Sequence, residues 1–232
     1  MSYKMKILLV LYTVFLIFIN VLPVQYNHGL HSFFDLLFMN TKRFELYNLE
    51  PLNFQYIISL CLFHQLIIYK LLSESNEYFS FLGMVVYRKG VVKTLKDKTK
   101  RNFKRIFSCL SIIFLTVIIV YIIYIRFKRN CIVSADLVKG FVYILRYGVF
   151  ISIELLIYDS LSLLGNSHKA TIYVNSIFIA VMMVDLLINS RLVLFSSDLI
   201  SELIYLVVNI SLFYIIYLVS KYNLIKGADL IW

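Results

Sequence analysis

The chain has 232 residues, of which 61% are hydrophobic and 16% charged, with 23 Lys and Arg against 13 Asp and Glu. Soluble domains carry about 45–50% apolar and about 25% charged residues, so this is the composition of a membrane chain, and its apolar content excludes intrinsic disorder. Two prolines and seven glycines exclude collagen-like, proline-rich and flexible-linker classes, and Cys61, Cys109 and Cys131 make no paired framework.

A helix crosses a hydrocarbon core about 30 Å thick with about 20 mostly apolar residues, each rising 1.5 Å. Stretches of that kind at 5–22, 54–72, 106–125, 141–164, 171–188 and 203–219 predict an all-α polytopic membrane protein with six spans and a single transmembrane domain over 1–232. The first follows Lys4 and Lys6 as a signal peptide would. Its run is long, however, and ends in Asn20-Val21-Leu22-Pro23-Val24-Gln25 without a small-residue cleavage pattern, so it reads as a retained span. The longest remaining stretch, 73–105, has room for no soluble catalytic domain, and the chain has neither a phosphate-cradling Gly-rich loop nor a Walker-type Lys-Ser/Thr.

Lys and Arg gather on the cytoplasmic side of bacterial-type spans, which decides the orientation. With both termini inside, the inner segments hold Lys4, Lys6, Lys70, the nine basic residues from Arg88 to Arg105, Lys169, Lys221 and Lys226. The outer segments hold Lys42, Arg43, Arg126, Lys128, Arg129, Lys139 and Arg191, which is fewer. The expected location is the bacterial plasma membrane.

Within 88–105 those nine bases face one acid, Asp97. Lys89, Lys93, Lys96, Lys100 and Lys104 recur at helical spacing, while Val92, Leu95, Phe103 and Ile106 fall largely elsewhere, predicting an amphipathic helix along the inner leaflet that runs into the third span. Basic residues near anionic lipid gain about 1 kcal/mol each, so one reading is a lipid anchor. A nucleic-acid partner is not expected, because no aromatics interleave for base stacking. The other reading uses the segment before it. Glu74 and Glu77 open a short stretch whose apolar face of Phe79, Leu82, Val85 and Val86 is what a membrane subunit presents to a cytoplasmic partner.

The run Val86-Tyr87-Arg88-Lys89-Gly90-Val91-Val92, followed by lysines, resembles a segment of the six-span permease subunits of ABC-type exporters, specifically the small permeases that export antimicrobial or toxic peptides such as phenol-soluble modulins, or confer immunity to them. Thr94-Leu95-Lys96-Asp97-Lys98 stands where that family usually has aromatic residues. The resemblance implies a coupling helix between the second and third spans, with Glu74, Glu77, Phe79, Leu82, Val85, Arg88 and Gly90 meeting a separate cytoplasmic ATP-binding subunit. It also implies a second permease chain, identical or homologous, around a path for peptide cargo. ATP and Mg would be bound by the partner, with no cofactor in this chain. Spans two and five would face the path, which singles out Phe54, Ile58, Cys61 and Gln65 on one and Ile179, Met182 and Met183 on the other. The alternative for these apolar residues is ordinary bundle or lipid packing.

Charges inside a span are costly unless paired or hydrated, which makes Arg146, Glu154, Asp159 and Asp185 candidates. Arg146 and Asp185 lie at similar depth below the outer face, and Glu154 matches Asn175 near the middle. They read either as interhelical pairs, Arg146 with Asp185 above all, or with Glu154 and Asp185 lining a hydrated path for a cationic peptide. Cys61 and His64 share a helical face at i and i+3, but two ligands do not make a metal site. No nucleophile elbow or His-Glu-x-x-His occurs, so enzyme activity is not expected. In the outer connectors, 190–202 reads as a short interfacial element before the last span. The functional readings are a peptide-exporting permease and a non-transporting membrane immunity or accessory protein that binds a toxic peptide.

Overall fold

The computed structural model describes residues 3–21, 61, 64, 65, 67–69, 71, 90–128, 134–163, 167–188 and 199–228. All regular structure among them is helical: α1 (Tyr3–Val21), α2 (Val91–Lys128), α3 (Ser134–Leu163), α4 (Ser167–Ile188) and α5 (Leu199–Ala228), with helical residues of the second predicted span between α1 and α2. Three stretches, Val91–Ile123, Leu137–Leu163 and Leu199–Lys226, are long and apolar enough to cross a membrane.

Each helix coincides with a predicted apolar stretch, α1 and α3 ending one residue short of theirs, and three helices extend well beyond it. α3 starts at Ser134, taking in Lys139 and Gly140, and α5 runs from Leu199 to Ala228, past Lys221 and Lys226. α2 extends furthest, as the expected helix that runs from the basic stretch into the third span. Its 38 residues, about 57 Å of helix, join the basic stretch and the third predicted span without a break. Lys and Arg are good helix formers, so charge alone does not end a helix. Gly90 begins it: at φ +76°, a conformation that costs other residues, its carbonyl accepts from the Thr94 amide at 3.1 Å and the Thr94 hydroxyl at 2.9 Å.

α3 is the central element, packed against α2, α4 and α5, while α2 also packs on α1 and α5. It is buried around nearly its whole circumference, and its Gly148 admits Leu110 of α2 so closely that a Cβ there would stand 2.6 Å from Leu110 Cδ1. The main core gathers Leu9 of α1, Ile67, Ile68 and Leu71, Ile106 through Tyr121 of α2, Tyr147 through Tyr158 of α3, and Val174, Phe178 and Met182 of α4. A second, smaller core joins Leu95, Leu156 and Leu224, with Val91, Leu163, Phe213, Ile216 and Tyr217 against it. One face of the basic stretch is held along the ends of α3 and α5, because Leu95 is in that core and Thr94, Lys98 and Asn102 are buried beside it. The opposite stripe is as expected, with Lys93, Lys96, Lys100 and Lys104 exposed.

The hydroxyls placed in these apolar helices are satisfied locally. Thr13, Thr99, Ser111, Thr116, Ser152, Ser160 and Ser211 each donate to the carbonyl four residues back, at 2.7 to 2.9 Å.

Candidate functional site

α3 has three ionisable residues with no exposure, Arg146, Glu154 and Asp159, and each meets a different neighbour. About 12 Å of helix separates the first two and about 7 Å the last two. They clasp three elements to one helix at three heights.

Arg146 reaches α5, with Nε 3.1 Å from Oε2 of Glu202. Its guanidinium is stacked between the rings of Tyr143 and Tyr205, at 5.3 and 5.6 Å from their centroids. A planar, weakly hydrated cation suits such a slot better than an ammonium. Glu202 is in the first turn of α5, where the helix dipole favours an acid. Asp185 of α4 is buried as well, and it acts electrostatically on the same Tyr143 as do Arg146 and Glu202.

Glu154 meets the second predicted span. Its Oε2 stands 3.1 Å from Nε2 of His64, whose Nδ1 is 2.9 Å from the Tyr147 hydroxyl. The imidazole lies flat on Phe178 of α4, ring centroids 3.6 Å apart and planes 4° from parallel. The contact between His64 and Glu154 is at ion-pair distance but off the direction of a hydrogen bond, and among the described residues neither oxygen of Glu154 has a hydrogen-bond donor.

Asp159 meets α2. Lys98 Nζ is 3.4 Å from Oδ1, and the Asn102 side-chain amide donates to Oδ2 at 2.7 Å. Along α2 this clasp falls between the two cores, with Leu95 below it and Ile106 above. Both carboxylate oxygens are engaged, which is what a buried charge requires.

The sequence-predicted path residues divide. Glu154, Met182 and Asp185 are buried, with Cys61 and Gln65 half-buried, whereas Ile179 and Met183 are on the exposed face of α4. The three α4 residues therefore do not line one surface. Arg146 pairs with Glu202, and Asp185 acts on the same tyrosine as both; Asn175 is half-buried on α4, and Phe178, one turn on, is an α4 residue that reaches the Glu154 cluster. Phe54, Ile58, Glu74, Glu77, Phe79, Leu82, Val85 and Arg88 lie outside the described residues, and of the coupling segment only Gly90 is within them.

Glu202, His64, Lys98 and Asn102 were not singled out as partners of α3. Glu202 falls in the stretch that reads as an interfacial connector, yet the last helix starts at Leu199 and turns it inward. The signal for His64 is a lone titratable ring in mid-span. Among the described residues no group of three or more metal-ligating side chains occurs. No family model, no curated protein and no solved structure matches the chain.

Proposed function

We propose that this chain is the membrane-spanning permease subunit of an ATP-driven exporter of amphipathic or cytotoxic peptides. In this reading it is a six-span plasma-membrane protein with both termini inside, paired with a second permease chain and driven by a separate cytoplasmic ATPase that binds ATP and Mg. The observation that supports it best is the continuity of α2. A partner docked at 74–95 pushes on a helix that enters the bundle unbroken, and the Lys98–Asp159–Asn102 clasp carries the displacement to the central α3. Around the second core, Lys93, Lys96, Lys100 and Lys104 of α2, with Lys221 and Lys226 of α5, form an exposed basic surface suited to an acidic partner. α5 turns a broad apolar face outward, including Ile204, Val207 and Ile215, as a lipid-facing or permease-facing helix does.

A second reading has one observation in its favour. The buried charges of α3 find partners within this single chain, as in a closed bundle that binds a peptide without passing it. Co-purification separates the two. The solubilised chain taken from its native cell should bring an ATP-hydrolysing subunit with it, and Glu77→Lys with Val85→Asp should release that subunit. Its absence from the wild-type preparation would overturn the permease and leave the immunity protein.

A further inference from the structure

The cluster around His64 has a property that peptide export does not require. A fully buried carboxylate, Glu154, has no hydrogen-bond donor among the described residues, and a fully buried imidazole stands 3.1 Å from it with its other nitrogen on a phenol. The other titratable groups around it are weak or remote. Cys61 is one turn away on the same span, Tyr143 and Tyr158 are on α3, and Cys109 and Tyr121 are on α2, all packed in the same apolar core. Arg146 on α3 faces Glu202 of α5 instead. On α4, Asp185 is two turns beyond Phe178, about 10 Å along the helix. Among the described residues, His64 is thus the one charge partner shown at contact distance.

We propose that Tyr147, His64 and Glu154 form a proton-binding site that carries one exchangeable proton and releases it only when water reaches the pair. In the unloaded form the Tyr147 O–H donates to Nδ1, Nε2–H faces the ionised carboxylate, and the cluster has net charge −1. Loading adds one proton from water. Nδ1–H then donates to the Tyr147 oxygen, the added proton makes either the imidazole an imidazolium or the carboxyl a neutral acid, and the cluster is neutral. The phenol serves both forms because a hydroxyl both donates and accepts. An uncompensated charge buried without donors costs several kcal/mol, so the closed bundle favours the neutral, loaded form. Phe178 seals the ring face, and any movement of α4 away from α3 would hydrate the pair and free the proton.

The test uses the full chain in lipid nanodiscs with neither ATPase nor peptide, so its failure is distinct from failure of the exporter reading. Infrared spectra of the carboxyl group and nitrogen-labelled histidine spectra are followed at bulk pH of about 6 to 8, on either side of free imidazole. The wild type should show one loaded signature across that range, either a protonated carboxyl lost in Glu154→Gln or an imidazolium lost in His64→Gln. Tyr147→Phe, which keeps the pair, should retain it. Phe178→Ala, which uncovers the ring, should make the signature follow bulk pH. An ionised carboxylate beside a neutral imidazole throughout would overturn the site, as would a wild-type signature that follows bulk pH as Phe178→Ala does. A response to Na+ or K+ in place of protons would assign a metal cation and overturn it equally.

Discussion

Removing Asp159 takes from the buried Lys98 ammonium its carboxylate at 3.4 Å, whereas removing both residues leaves the Asn102 amide to re-pair. Stranding one member of a buried pair costs about 3–5 kcal/mol, while replacing both with apolar residues is often neutral. Asp159→Leu should therefore lower the melting temperature of the purified chain sharply, and Lys98→Met added to it should recover most of the loss; equal melting of the single and double variants would show that the clasp carries no stability. A similar asymmetry holds at Arg146. Arg146→Lys keeps the charge but gives up the stacking on Tyr143 and Tyr205, a loss of about 1 kcal/mol per ring, and Arg146→Met, which strands Glu202, should cost more in the same melting series. The candidate residues Arg146, Glu154, Asp159 and Asp185 were legible in the sequence because a charge in an apolar run stands out. Their partners were not. Pairing depends on which helix faces which, and depth along a span does not carry that: His64 and Glu154 come from separate helices and meet only in the packed bundle.

Two glycines decide how α2 is placed. Gly90 begins the helix with positive φ, and nothing lies within 4 Å of a Cβ there, so Gly90→Ala is opposed by backbone conformation alone, at about 1–2 kcal/mol. Faster hydrogen exchange of the Thr94 amide in that variant would register it; unchanged protection would mean the turn is made another way. At Gly148, α3 lets the Leu110 side chain of α2 come close to its backbone. Gly148→Ala gains up to about 1 kcal/mol of helix propensity against the shift it forces on Leu110, so its effect on melting should be small, whereas Gly148→Val should push the helices apart and destabilise by about 1–3 kcal/mol. Equal melting of the two variants would contradict that contact. The apolar centres of the helices were readable because hydropathy windows respond to them. The extension of α2 was readable as well, as an amphipathic helix running into the third span, whereas those of α3 and α5 were not, because their end segments mix polar residues with packed ones. Leu95 and Leu224 in one small core show how a charged stretch is held in the fold.

Among the described residues α3 is the axis, and the second predicted span, α2 and α5 are fastened to it by charge as well as by apolar packing. That makes α3 the element through which a push on α2 would reach Glu154 and Arg146. The most direct measurement is transport itself. The chain and its co-purified ATPase are reconstituted into vesicles, and a fluorescent cationic amphipathic peptide is followed across the bilayer. ATP-dependent movement of the peptide, lost when Glu77→Lys with Val85→Asp releases the ATPase, is the expected result. Peptide binding with no ATP-dependent movement would contradict the permease and make the chain a peptide-binding immunity protein.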